Sequence, residues 1–268
     1  MTHTNEAITQ MYSAVDGSST YAPYQCHSDF LAPGYAEKLN DAFDFVVVGA
    51  LHGFGEGTQS INAPCEQEYQ VVADAVAGLD PLKGDKLFVE GPGAGDEQLF
   101  SKKLAADPAA LLAAAEQDRE EKKISTFRYA GALAVAKGVP TRYADMSRSM
   151  VNHFLAATAQ PDVKAVAISS EYGPDLYQLR NQQAVYTAKD DAIVRLHAVR
   201  GRSEKPTSML LFGEVHVWQD TGMGVSIPEI FAAKDLEVRT QVLPNLLSVR
   251  IGAYAAMYAQ RMTKFFIN

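Results

Sequence analysis

A chain of 268 residues, 47% hydrophobic and 21% charged, is long enough to bury a large core, and no Pro/Gly/Ser-rich linker or low-complexity run divides it. Its net charge of −8, with the basic residues scattered, excludes partnership with nucleic acid, which draws on clustered Lys and Arg to release counterions from phosphate. No run reaches the ~18 apolar residues of a membrane-spanning helix, and the polar first residues lack a cationic segment followed by an apolar one, so the expected setting is cytoplasmic, without a membrane partner and with Cys26 and Cys65 as free thiols.

Residues 1–40 scatter Tyr12, Tyr21, Tyr24, Tyr35, Cys26 and His27 among turn formers, and read as an N-terminal wrap, short helices or irregular chain, on the domain formed by 41–268. The run 43–48 is β-branched and aromatic, the pattern of a strand covered on both faces in a parallel sheet, and it stops at Gly49. Comparable runs at 86–90, 140–145, 163–168, 209–213 and 237–242 predict further strands. Helical spacing lies between them. Residues 65–77 carry apolar side chains at turn spacing, and the Ala-rich stretch 108–137 predicts two helices meeting near Ser125. Residues 174–199 place Leu176, Leu179, Tyr186, Ile193 and Leu196 near one side, with Pro174 in a first turn that tolerates it. The basic pairs Lys102, Lys103 and Lys122, Lys123 read as solvated helix surface. Strand, helix, strand in repetition predicts an α/β fold, a mostly parallel sheet with helices on both faces. Ligands of such sheets bind beyond the carboxyl ends of the strands, so reactive side chains directly after strands are the candidates.

Two strands end alike. Val46-Val47-Val48 runs into Gly49-Ala50-Leu51-His52, and Leu210-Leu211-Phe212 runs into Gly213-Glu214-Val215-His216. Each apolar strand meets a glycine that lets the chain turn closely, with a histidine three residues on. Imidazole suits proton transfer near neutral pH and metal ligation, and two of them at equivalent strand ends can converge on one site. The repeated spacing suggests an internal duplication. A lone histidine after a strand is more often a hydrogen-bonded loop residue, so the repetition carries the functional reading. Phe88-Val89-Glu90 ends a buried-looking strand on a carboxylate, a costly place for charge unless it is paired, ligates a metal or acts as a base. Asp145, ending 140–145, suits a helix cap as well as it suits function. Glu56 follows His52 through glycines that permit a tight turn back to the imidazole, and an exposed loop acid is an equally ordinary reading there. Arg180, less than two turns into 174–199, is placed to hold an anionic or carbonyl oxygen, with a surface ion pair as the plain alternative. His3, His27, His153 and His197 lack a comparable setting. Gly91-Pro92-Gly93-Ala94-Gly95 lacks the Lys and Ser/Thr of a phosphate loop, and Ser169-Ser170 lacks a nucleophile elbow, which sets a serine hydrolase aside.

These motifs resemble those of the superfamily of erythromycin esterases, TraB/TIKI proteins and ChaN-like proteins, which share paired GxxH motifs on an α/β fold. In motif order the likeness runs from Val46 to Phe231. His52-Gly53 with Glu56 is similar to the HGxxE element of the esterases, and Phe88-Val89-Glu90 resembles the family strand that ends in a functional glutamate. Arg180-Asn181 resembles the Arg-Asn helix motif of TraB/TIKI members, Gly213-Glu214-Val215-His216 the second GxxH, and Ile227-Pro228-Glu229-Ile230-Phe231 the short proline-containing helix after it. The resemblance implies His52, Glu56, Glu90, Arg180 and His216 as site residues. Function varies within the group, from macrolide lactone hydrolysis through metal-dependent peptidase activity to haem binding. The expectation is a chain without the secretion or membrane segments of TIKI and without the lipoprotein signal of ChaN, and at 268 residues it is short beside the esterases.

The expectation is a hydrolase acting on an ester, lactone or amide of a small molecule or peptide. His52, oriented by Glu56 or Glu90, activates water, while His216 and Arg180 stabilise the charge developing on a carbonyl oxygen. A divalent metal ligated by His52, Glu90 and His216, with an open position for water, is the alternative form of the same chemistry, and a site with no cofactor is equally consistent. A haem or metal carrier without turnover and a catalytically inactive interaction domain are the other two classes the motifs leave open.

Overall fold

The computed structural model describes residues 34–51, 57, 60, 62–90, 107–145, 173–218 and 224–267. In chain order its elements are α1 (Tyr35–Ala42), β1 (Asp44–Ala50), α2 (Glu66–Ala77), β2 (Lys86–Val89), α3 (Pro108–Glu120), α4 (Thr126–Ala136), β3 (Thr141–Tyr143), α5 (Gly173–Val199), β4 (Thr207–Gly213), α6 (Ile227–Ala232), β5 (Val238–Val242) and α7 (Leu247–Ile267). A 3-10 turn, Glu214–His216, follows β4 directly. The strand expected at 163–168 lies outside the described residues, as do Lys102 and Lys103.

The five strands form one sheet in the order β3-β2-β4-β1-β5, and every neighbouring pair is parallel. The near-continuous apolar runs explain the arrangement, because both faces of the central strands are covered. Val46, Val48 and Ala50 of β1 point to one side, where Tyr69, Val72 and Val76 of α2 and Phe127 and Ala130 of α4 pack on them. Phe45 and Val47 point to the other, against Leu39 of α1, Ala184 and Ala188 of α5, and Ile230 and Phe231 of α6. The alternation is the two-residue period of a strand, here apolar in both phases. Leu210 and Leu211, neighbours on opposite faces of β4, are both fully buried, and truncating either to Ala removes about 2–5 kcal/mol of stability.

Polar residues set where the helices begin. Asp107 accepts from Ala110 N ahead of Pro108 at the start of α3, and Ser125 accepts from Arg128 N at the start of α4, so the division expected at Ser125 is a helix cap. Ser226 and Glu229 form a capping box around Pro228 at the start of α6. Lys122 and Lys123, expected on a helix, instead occupy the turn between α3 and α4, where Lys122 takes a φ of 52°. Beyond β5 the chain forms α7. Its first turn is tied to α2 by a buried ion pair, in which Arg250 Nη2 and Nε donate to the Glu68 carboxylate at 2.5 and 3.1 Å. Among the described residues no helix is long and apolar enough to cross a membrane.

Candidate functional site

Parallel pairing brings the carboxyl ends of the strands to one edge. Val89 lies beside Leu211, and Leu211 beside Val48, so β2 ends two residues before the paired ends of β4 and β1, Gly213 and Ala50. The two GxxH motifs leave from the adjacent strands β1 and β4, one residue out of step: Gly49 pairs with Phe212, and Gly213 with Ala50. Gly49 then lies directly against the second motif. A Cβ at this position would stand 3.1 Å from Val217 Cγ2 and 3.3 Å from Glu214 Cα, so the first motif needs its glycine for close approach.

Glu90 follows β2 immediately, and its backbone N–H donates to Leu211 O at 2.9 Å as a last rung of the ladder. Ala144 N donates likewise to Val89 O at 3.2 Å, which fixes Asp145 one residue beyond. The first turns of α5 pass over this edge and contribute Tyr177, Arg180 and Asn181, spaced i, i+3, i+4 and therefore on one side of the helix. Arg180 joins the two acids: Nε donates to Asp145 Oδ1 at 2.9 Å, while Nη2 donates to Asp145 Oδ2 at 2.5 Å and to Glu90 Oε1 at 2.6 Å. The other Glu90 oxygen, Oε2, accepts from Gly213 N at 2.6 Å, so the second motif's glycine holds the glutamate through its backbone. His216 Nε2 stands 3.3 Å from Glu90 Oε1. The Glu90 side chain is 4% exposed, that of His216 1% and that of Arg180 20%, and Arg180 is the member of the cluster that reaches solvent. Burial alone would disfavour the guanidinium charge, but Asp145 and then Glu90 outweigh it and hold the Arg180 pKa well above its usual value.

The imidazole is held on several sides. Asn181 Nδ2 donates to Val225 O at 2.8 Å, which turns Asn181 Oδ1 toward His216 Nδ1, 2.5 Å away. Only an N–H at Nδ1 satisfies that oxygen, so the hydrogen-bond network assigns the tautomer. Nε2 is left facing the carboxylate. The Tyr177 ring lies 5.0 Å from the imidazole at 34°, and Phe212 meets it edge-on at 5.7 Å. The cluster therefore fixes the imidazole and the Glu90 carboxylate against each other at defined atoms, with Arg180 bridging Glu90 and Asp145.

Two donors 3.3 Å apart also suit one cation at the usual 2.0–2.2 Å ligand distances, and His216 with Glu90 is the pair that would provide them. A third ligand is needed, and His52, expected in that role, lies outside the described residues, as does Glu56. Among the described residues no group of three or more His, Cys, Asp or Glu side chains is arranged for a metal. Arg180 already places a positive charge 2.6 Å from the same Glu90 oxygen, which opposes a second cation there.

Of the residues expected from the sequence, the structure brings Glu90, Arg180 and His216 into direct contact. Arg180 holds protein carboxylates in a buried cluster, rather than a surface partner. Asp145, ambiguous in the sequence, is its main partner, and the residues that it was expected to cap lie outside the described ones. Asn181 and Tyr177 had no expected role beyond the Arg-Asn motif. Their signal is the helical spacing from Arg180, which places all three on one side. His197 is exposed on α5, as its surroundings suggest. Comparison of the chain with protein-family models, with curated proteins and with solved structures found no match.

Proposed function

We propose that the protein is a hydrolase that cleaves an ester, lactone or amide through a water activated by a His/Glu pair, with His52 of the first GxxH motif as the histidine. The observation that carries this reading is the buried His216–Glu90 contact at the carboxyl edge of a parallel sheet, where such folds do their chemistry. His216, with its tautomer set by Asn181 and its Nε2 against Glu90, would act through that carboxylate, holding it in place to orient His52. His52 would activate the water, oriented by Glu56 or Glu90. Arg180 has Nε and Nη2 engaged by carboxylates, which leaves Nη1 as the arm able to meet a developing oxyanion. The resemblance to erythromycin esterases and TraB/TIKI proteins supports the same chemistry, with a metal-bound water as its other form.

The test is turnover by the full chain of p-nitrophenyl butyrate, a γ-lactone and a peptide p-nitroanilide, each before and after dialysis against EDTA. At least one is hydrolysed, and His52→Ala and His216→Asn each lower kcat/KM by about 10²-fold or more, with melting curves recorded alongside to separate lost chemistry from unfolding. Loss on chelation that zinc restores selects the metal form. Silence on every substrate, or turnover indifferent to His52→Ala, refutes the hydrolase, and a Soret band on haem titration would then point to a carrier.

A further inference from the structure

At the amino edge of the sheet, opposite the cluster described above, a surface cavity of about 400 Å³ opens between α1, the end of α5 and the chain leading into β4. That volume falls within the range of small-molecule sites. Its inner wall is apolar, formed by Ala42 of α1 with Ile193, Leu196 and Val199 of α5. Its rim carries four permanent cations, Lys38, Arg200, Arg202 and Lys205, against two acids, Asp41 and Glu204.

The local fold explains the gathering. Gly201 takes a φ of 83° and ends α5, with Arg200 N bonded to Leu196 O and Arg202 N to Val199 O, both at 3.1 Å, so the two arginines flank the helix end. Arg202 Nη1 donates to Lys83 O at 3.0 Å and Lys205 Nζ to Asn40 O at 2.8 Å, which anchors both on uncharged carbonyls. None of the four cations is ion-paired to a carboxylate among the described residues. The partial negative charge at the carboxyl end of α5, about half a unit, offsets less than one of them. Four cations less two acids leave two positive charges over an apolar wall, on a chain whose net charge is −8. A phosphate monoester, carrying about −1.5 to −2 at pH 7, matches that excess.

We infer that this cavity binds a small organic phosphate monoester, its phosphate held by the Lys38, Arg200, Arg202 and Lys205 rim and its apolar body resting on Ile193 and Leu196. The site is separate from the proposed hydrolytic centre: twenty residues of α5, about 30 Å, divide Arg180 from Arg200.

The test is isothermal titration of the full chain with 1-naphthyl phosphate, inorganic phosphate and 2-naphthol. 1-Naphthyl phosphate binds saturably, about tenfold or more tighter than either of the others. Lys38→Gln with Arg200→Gln, both at exposed positions, weakens it by about tenfold or more, whereas Leu196→Ser weakens 1-naphthyl phosphate and leaves inorganic phosphate unchanged. The inference is overturned if 1-naphthyl phosphate shows no saturable binding up to millimolar concentration, if inorganic phosphate binds as tightly, or if binding is indifferent to loss of the two charges.

Discussion

Replacing Glu90 by Gln keeps the shape of the side chain and removes its charge, so it isolates the electrostatics of the cluster. Both oxygens accept from nitrogen donors at 2.6 Å, Oε1 from Arg180 Nη2 and Oε2 from Gly213 N. Whichever way the amide is turned, its NH2 meets one of those donors. One charge-assisted bond, about 1.5–3 kcal/mol, is lost, and a buried donor is left without its acceptor, at about 1–3 kcal/mol more. The sum, about 2.5–6 kcal/mol, brackets the about 3–5 kcal/mol that breaking a buried ion pair costs. For a chain of this length that is a fall in Tm of roughly 6–20 °C. Urea denaturation followed by circular dichroism measures it, with Glu66→Gln as the control, because Glu66 pairs with Arg119 at the surface and its loss costs at most about 1 kcal/mol. A double-mutant cycle with Arg180→Met then gives a coupling of about 1 kcal/mol or more. A Glu90→Gln variant that loses less than about 1 kcal/mol, or a cycle that is additive, refutes the cluster as described.

Gly49→Ala forces a Cβ to within 3.1 Å of Val217 and destabilises by about 1–3 kcal/mol, whereas Gly252→Ala on α7, with open space around it, stabilises by about 0.5–1 kcal/mol; paired thermal melts check the opposite signs. Asn181→Leu leaves the His216 Nδ1 proton without an acceptor and lowers stability by about 1–3 kcal/mol, and long-range 1H–15N spectra of the parent show that proton on Nδ1. Burial raises the Tyr129 pKa to about 12, and its bond to Glu116 adds to the shift, while burial raises Tyr69 further still. Above the ordinary value of 10 the unfolded chain releases these protons and the folded one keeps them, so stability is whole below pH 10 and falls as pH rises through 12. Absorbance at 295 nm during alkaline titration checks this: two tyrosines ionise only as the chain unfolds.

What the sequence reveals depends on how far apart the interacting residues lie. The strands 43–48, 86–90 and 209–213 are legible because a run covered on both faces has to be apolar throughout, and the Ser125 division because a cap is a local bond. Glu90 is legible by the same reasoning reversed, as a charge where the pattern forbids one. Its partners are not. Arg180 is 90 residues away and Gly213 is 123, and no local rule relates a carboxylate to either. The cation rim is hidden for the same reason, since Lys38 and the turn after α5 meet only once β1 and β4 have paired. Helix α7 turns Leu247, Ile251 and Tyr258 to solvent, while the buried residue of its first turn is the charged Arg250, whose partner Glu68 lies 182 residues away.

The chemistry of Arg180 follows from its geometry rather than its charge. A guanidinium forks, so one group can engage Asp145 through two nitrogens and reach Glu90 with the second of them, and Nη1 remains available. A lysine at this position would carry the same charge on one atom. It could satisfy the acids or a substrate oxygen, but not both in fixed directions. Arg180→Lys therefore preserves the charge balance of the cluster while loosening Glu90, and with it the His216 Nε2 contact. If Arg180 acts only by its charge, folding and turnover survive the exchange. If it acts by holding two carboxylates in register, turnover falls by more than the loss in stability explains, because Glu90 Oε1 no longer keeps a fixed place against His216 Nε2.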